Sequence, residues 1–179
     1  MIVLVGASAS GKTEVTKVLA KKYNIQKFIT HTTRPIRVGE ENGVDYFFVT
    51  KEEFEELLKQ DFFIEHTLYN GNYYCTSKKE VQNDKVVAID VNGLKSFQSL
   101  NDKSIVYFKL YAGEKTRYNR MLQRGDSLEN AEGRICNDRT KFADELFSDM
   151  DFEIDTELYD VEGVADLIYK LYIQKINQL

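Results

Sequence analysis

Eight consecutive residues carry the plainest chemistry in the chain: Gly6, Ala7, Ser8, Ala9, Ser10, Gly11, Lys12 and Thr13 read G-x-x-x-x-G-K-[ST]. A polyphosphate is held by backbone N–H groups and by the positive start of a helix, both of which bulky side chains on the loop would crowd out. At this spacing Lys12 reaches the β- and γ-phosphates, and Thr13 sets its hydroxyl on Mg2+, whose charge offsets what builds up on a transferring phosphoryl group. ATP or GTP is the expected ligand. The loop alone does not choose between phosphoryl transfer and hydrolysis.

A second constellation is Thr30-His31-Thr32-Thr33-Arg34-Pro35-Ile36-Arg37, followed by Gly39, Glu40, Gly43, Asp45 and Tyr46. Two guanidinium groups three residues apart beside a tyrosine hydroxyl suit a phosphate monoester, because arginine pairs bidentately with phosphate oxygens. Taken alone, such loop arginines are more often simply solvated. His31 and His66 are the only histidines, which argues against a His-built zinc site or a Ser-His-Asp arrangement. Cys75 and Cys136 lack CxxC spacing and read as free thiols.

These groups need a scaffold. The β-branched run Ile2 to Val5 stops at Gly6, and Val15, Val18 and Leu19 recur at helical spacing after Thr13, so the loop joins a strand to a helix. Further core strands are expected over 27–30, 86–90, 104–111 and 151–155, and helices over 51–59 and 114–124. An apolar stripe of Val161, Val164, Ala165, Ile168, Leu171 and Tyr172 predicts a last helix packed on the sheet. Continuous apolar runs between helices point to an α/β fold of three layers with a parallel central sheet.

Two segments break this alternation. Residues 31–79 hold the arginine loop, a strand-like run over 45–49, a helix, and a hairpin signal at Tyr69-Asn70-Gly71-Asn72, where Asn-Gly supplies the positive φ a tight turn needs. A small inserted mixed-β subdomain is expected there. Residues 124–150 are polar, carry both signs of charge and contain Arg124, Arg134 and Arg139, which fits either a solvated helical pair or a mobile basic lid.

The 179 residues suit one domain with insertions, and 29 acidic against 24 basic residues leave a charge of −5. That balance excludes a general electrostatic grip on nucleic acid or an anionic membrane, so an anionic ligand must meet a local positive site. The apolar runs fall far short of the roughly 18 residues of a membrane span. Met1-Ile2-Val3 has no basic leader, so a cytoplasmic location is expected.

The run T-H-T-T-R-P-I-R-V-G-E-E-N-G-V-D-Y-F-F-V, then F-I-E-H and G-N-Y-Y-C-T-S, resembles the nucleoside-monophosphate-binding region of the guanylate kinase family, with the phosphate loop at the expected distance upstream. The likeness is strong through Asp90 and weaker beyond. It implies a core of 1–30, 80–123 and 148–179, a monophosphate-binding insertion of 31–79 and a lid of 124–147. It also implies transfer of the ATP γ-phosphate to GMP, and to its deoxy form, with Mg2+ as cofactor, by a monomer or homodimer. Thr30, Arg34, Arg37, Tyr46 and Tyr74 would then surround the GMP phosphate, while Glu65 and Thr76 hold guanine and Asp90 sits near both the metal, with Thr13, and the acceptor. Lys12, Arg34, Arg37, Arg124 and either Arg134 or Arg139 would neutralise the transferring group. Guanine offers N1–H and N2–H to one carboxylate, whereas adenine presents an acceptor at N1, and such sites discriminate by about 10⁴ or more.

The chain also departs from that pattern. Ala7 and Ala9 replace a usual proline and glycine in the loop, Ile36 a common proline, Ala88 a usual Asp and Thr156 an adenine-side Asn. Cys75 replaces a glycine, where a side chain could crowd the guanine pocket. A kinase for a different phosphorylated acceptor and a non-catalytic protein-interaction module are the alternatives; the intact Lys12-Thr13 pair argues against the second.

Overall fold

The computed structural model describes residues 1–69, 71–142, 147 and 149–178. In chain order these form β1 (Ile2–Val5), α1 (Lys12–Tyr23), β2 (Gln26–Lys27), β3 (His31–Thr32), β4 (Phe47–Phe48), α2 (Lys51–Lys59), β5 (Phe63–Tyr69), β6 (Asn72–Ser77), a 3₁₀ turn (Lys78–Glu80), β7 (Lys85–Ile89), α3 (Val91–Gln98), β8 (Val106–Tyr111), α4 (Glu114–Gln123), α5 (Leu128–Lys141), β9 (Phe152–Asp155) and α6 (Val161–Ile176). Five strands make a parallel sheet in the order β2-β7-β1-β8-β9. A second, mixed sheet in the order β4-β3-β6-β5 is built wholly from residues 31–77.

Alternation along β1 explains the layers. Ile2 and Leu4 pack with Val15 and Leu19 of α1 and Val164, Ala165 and Ile168 of α6 on one face. Met1, Val3 and Val5 join Phe28, Leu94 and Phe97 on the other, against α3. Both faces are therefore covered, and every residue of β1 is fully buried. The loop that follows β1 leaves the sheet at its central strand.

Several elements differ from the expected spans for local reasons. The strand expected over 27–30 ends at Lys27, because the chain crosses to the second sheet by His31. Ser104 starts no strand, since Asp102 accepts from both its N–H and its hydroxyl and closes a turn. The strand-like run over 45–49 shrinks to Phe47–Phe48, as Asp45 accepts from the Glu41 N–H and Asn42 from the Phe48 N–H. Helix α3 has its amino terminus capped by Asp90, which accepts from the Gly93 N–H at 3.0 Å. Helix α2 carries a full capping box from Thr50 and Glu53. In the region expected as hairpin and lid, Tyr69 pairs with Asn72, whereas Asn70 and residues 143–146 and 148 lie outside the described residues.

Phe97 has no exposed surface and meets Phe28 edge-on, 6.1 Å between ring centroids. Phe97→Ala is expected to cost about 3–5 kcal/mol of stability through the cavity it leaves. Urea unfolding measures this; a loss under 1 kcal/mol would mean that the α3 face collapses freely.

Candidate functional site

The loop of residues 6–13 is shaped by close approach and by left-handed backbone. A Cβ on Gly6 would lie 2.4 Å from the Leu110 carbonyl oxygen, so only glycine fits beside β8. Gly11, at φ 102°, caps α1 in a conformation that side chains rarely adopt. Ala9 has φ 59° although it carries a methyl group, which packs on the Met121, Ala131 and Ile135 cluster of α4 and α5.

A loop that offers its N–H groups to an anion must place its carbonyls elsewhere, and here five of the six have a donor while the sixth, that of Ser10, shares the Thr156 hydroxyl with the Tyr111 carbonyl. Lys12 Nζ donates to the carbonyls of Gly6 at 2.5 Å and Ala7 at 2.9 Å. Arg117 donates to that of Ser8 and Arg120 to that of Ala9, both at 3.3 Å. The Thr156 hydroxyl lies 3.2 Å from the Ser10 carbonyl, and Val15 N–H bonds Gly11 at 3.0 Å. Asp138 of α5 accepts from the Ser8 N–H at 2.8 Å and from Arg117 at 2.7 Å.

Burial of Lys12 pushes its ammonium down to about 8. Asp138 opposes this, Arg117 and Arg124 add to it, and Asp90 opposes it again. Beside the loop opens a cavity of about 580 Å³, lined among others by Lys12, Thr13, Arg120, Arg124, Thr156 and Tyr159. Arg124 meanwhile pairs with Asp126 at 2.6 Å. Neither arginine left open for the lid is drawn inward: Arg139 pairs with Glu114 of α4 at 2.8 Å, and Arg134 is exposed on α5.

The acceptor-side residues gather in and beside the second sheet. Arg34 pairs with Glu40 at 2.7 Å, lies 5.5 Å from the centroids of Tyr46 and Phe48, and is hydrogen-bonded with Tyr74. The bond to Glu40 raises the already high pKa of Arg34 and holds the Glu40 carboxyl below its usual range. Tyr46 meets Tyr74 at 6.0 Å between centroids, whereas the Arg37 side chain is exposed. Thr30 contributes its carbonyl to the Phe47 N–H at 2.9 Å.

Glu65 and Thr76 are register partners on β5 and β6, and the Thr76 hydroxyl donates to Glu65 Oε1 at 3.2 Å. A bulge between Phe63 and Glu65 aims Glu65 at Thr76 while Ile64 joins the main core. Burial pushes the Glu65 carboxyl above the usual glutamate range; the Thr76 bond opposes this and the charge of Asp90 adds to it. Cys75 does not crowd this pair. It is buried with Phe54 and Phe63 on the opposite side of β6, where burial pushes its thiol up to about 12.

Among the described residues no three His, Cys, Asp or Glu side chains gather as a metal site. Thr13 lines the cavity beside the loop, and the charge of Asp90 acts on both Lys12 and Glu65.

Sequence reasoning missed Arg117, Arg120 and Asp138. The signal for two of them was present, since Arg117, Arg120 and Arg124 recur at three and four residues along one helix. Asp138 gave none, because only the packing of α5 brings it to Ser8.

Compared with known proteins, residues 1–166 match the family model described as guanylate kinase. The chain is 33% identical to a guanylate kinase of Buchnera aphidicola, over 94% of this chain and 84% of that one. It is 35% identical to one of Fusobacterium nucleatum, over 76% and 78%. The crystal structure of guanylate kinase from Anaplasma phagocytophilum superposes with a TM-score of 0.61 and 26% identity, covering 98% of this chain and 85% of that one.

Because Lys12 must be protonated to grip phosphate, and its ammonium is held down to about 8 in the free protein, kcat/KM for ATP should fall as pH rises through about 8. Bound phosphates favour the charged amine, so the corresponding limb of kcat should lie higher. A kcat/KM profile flat to pH 10 would contradict this.

Proposed function

The chain belongs to the guanylate kinase family, its reaction is transfer of the γ-phosphoryl group of ATP to GMP, and we propose that the residues described above carry it as follows. The observation that supports this assignment best is the coexistence of a phosphate loop with five of its six carbonyls tied back and, on the second sheet, a carboxylate and a hydroxyl paired at 3.2 Å.

ATP lies with its phosphates on residues 6–13 and its base toward the cavity by Arg120, Thr156 and Tyr159. Lys12 exchanges its bonds to the Gly6 and Ala7 carbonyls for the β- and γ-phosphates. Thr13 and Asp90 would hold Mg2+, which supplies positive charge to the transferring group when bound. The monophosphate of GMP, or of its deoxy form, meets Arg34, Arg37, Tyr46 and Tyr74, with Thr30 at the strand that carries them. Glu65 accepts from guanine N1–H and N2–H, and Thr76 bonds O6.

The acceptor phosphate is already ionised at neutral pH, so no general base is needed. Catalysis is positioning plus charge neutralisation, with Arg124 adding positive charge from the donor side. Residues 31–79 are assigned to the acceptor-binding insertion and 124–147 to the lid, whose Asp138 is already seated on Ser8 in the free protein, on a core of 1–30, 80–123 and 148–179. A cytoplasmic location accords with ATP and GMP as substrates, and among the described residues no helix is long and apolar enough to cross a membrane.

Glu65→Gln should raise KM for GMP at least a hundredfold while leaving KM for ATP within about twofold, because one guanine N–H then faces a donor. In the unmodified enzyme KM for GMP should climb as pH falls through the raised carboxyl pKa of Glu65, at higher pH than for an ordinary glutamate. Steady-state ADP formation with GMP, AMP, CMP and UMP tests both. Unchanged GMP kinetics in the variant would remove Glu65 from the guanine site.

A further inference from the structure

Asp138 and Arg117 have no role in the transfer just described, yet they are the most completely buried ion pair bearing on the phosphate loop, each with about 7% of its side chain exposed. Together they hold Ser8 at all three of its polar groups. Asp138 accepts from its N–H at 2.8 Å and its hydroxyl at 3.3 Å, and Arg117 donates to its carbonyl at 3.3 Å. The same guanidinium reaches the Ala112 carbonyl just past β8 at 3.2 Å, so the pair ties the loop, the central sheet and the middle of α5 into one unit.

We propose that Asp138 is a positioning residue for the donor nucleotide: paired with Arg117, it fixes Ser8 so that the amides after it and Lys12 are set for the triphosphate before ATP arrives. This rests on the assignment of residues 6–13 to ATP. Two buried charges are costly to desolvate, and an apolar pair of the same volume often folds as well or better, so stability does not explain their presence. A carboxylate this close to a polyphosphate would repel it unless neutralised, which the 2.7 Å contact with Arg117 does. Asp138 is also the charge that acts most strongly on Lys12, favouring the protonated amine that phosphate requires. Preorganisation of this kind improves affinity by removing the ordering cost of binding.

The test compares Asp138→Asn and the apolar double variant Arg117→Met/Asp138→Leu with the parent enzyme. It reads thermal unfolding, KM for ATP and for GMP, and calorimetric binding of Mg2+-ADP without acceptor. Asp138→Asn keeps an oxygen for the Ser8 N–H but loses the charge, and should weaken Mg2+-ADP binding and raise KM for ATP about fivefold, leaving KM for GMP within twofold. The double variant should unfold at or above the parent temperature and still bind Mg2+-ADP at least tenfold more weakly. Recovery of parent-like nucleotide affinity together with stability in the double variant would overturn the proposal, because the pair would then be only a packing element. So would an Asn variant in which both KM values rise in equal proportion. Because Mg2+-ADP binding involves no acceptor, failure of the guanine assignment would leave this readout intact. A parent protein that binds no Mg2+-ADP would instead remove the assignment on which the proposal rests.

Discussion

Everything in the donor half of this molecule depends on disposing of six carbonyl groups. A loop can turn its N–H groups toward phosphate only if the C=O groups on its other side meet donors, since a buried unpaired carbonyl costs about as much as a lost hydrogen bond. Arg117 and Arg120 of α4 and Thr156 just past β9 come from far along the chain, and Lys12 and Val15 from the loop's own helix. The central position of β1 in the sheet makes this possible, because β8 and β9 deliver α4 and Thr156 to the same end of the sheet as Gly6. The nucleotide site is thus a property of the tertiary fold, although its motif spans eight residues.

The acceptor half uses the other elementary rule of β structure, alternation. Tyr74 and Thr76 face the site, and Cys75 between them is buried with Phe54 and Phe63. A residue inserted at the bulge of β5 sends Ile64 to the main core and leaves Glu65 facing Thr76. One side of the small sheet carries the Glu65–Thr76 pair and Tyr74, and the other packs Cys75 with Phe54 and Phe63, so the Cys75 side chain belongs to the packing and lies off that pair.

How much of this was legible depended on range. The strand, loop and helix around Gly6 to Thr13 could be read because hydrophobic period, glycine placement and motif all lie within a short window, and the helices over 51–59 and 114–124 were legible in the same local way. The arginines at 117 and 120 stood at helical spacing, but nothing in their neighbourhood showed that the loop's carbonyls need them. The bulge at Glu65 and the contact of Asp138 with Ser8 left no local trace, since register and helix packing are settled by residues more than a hundred positions apart in the second case. Arg134 and Arg139 could not be told apart from the sequence, because which side chain of a polar helix finds a partner depends on its neighbour: Arg139 pairs with Glu114 of α4, while Arg134 is exposed.

Glu40 gives the acceptor site a resident counter-ion. Two arginines on an open loop would collect any small anion in the surrounding solution, but the Glu40 carboxylate already occupies Arg34 at 2.7 Å and takes the Arg37 backbone N–H at 2.8 Å, at the high effective concentration of a tethered group. Every incoming phosphate must compete with that tether. An isolated phosphate ion has nothing with which to offset the competition, whereas a ligand long enough to reach Glu65 and Thr76 gains the second set of contacts. On the proposed assignment of this loop to the acceptor phosphate, the Glu40 tether would favour a ligand that carries both a phosphate and a base over phosphate alone.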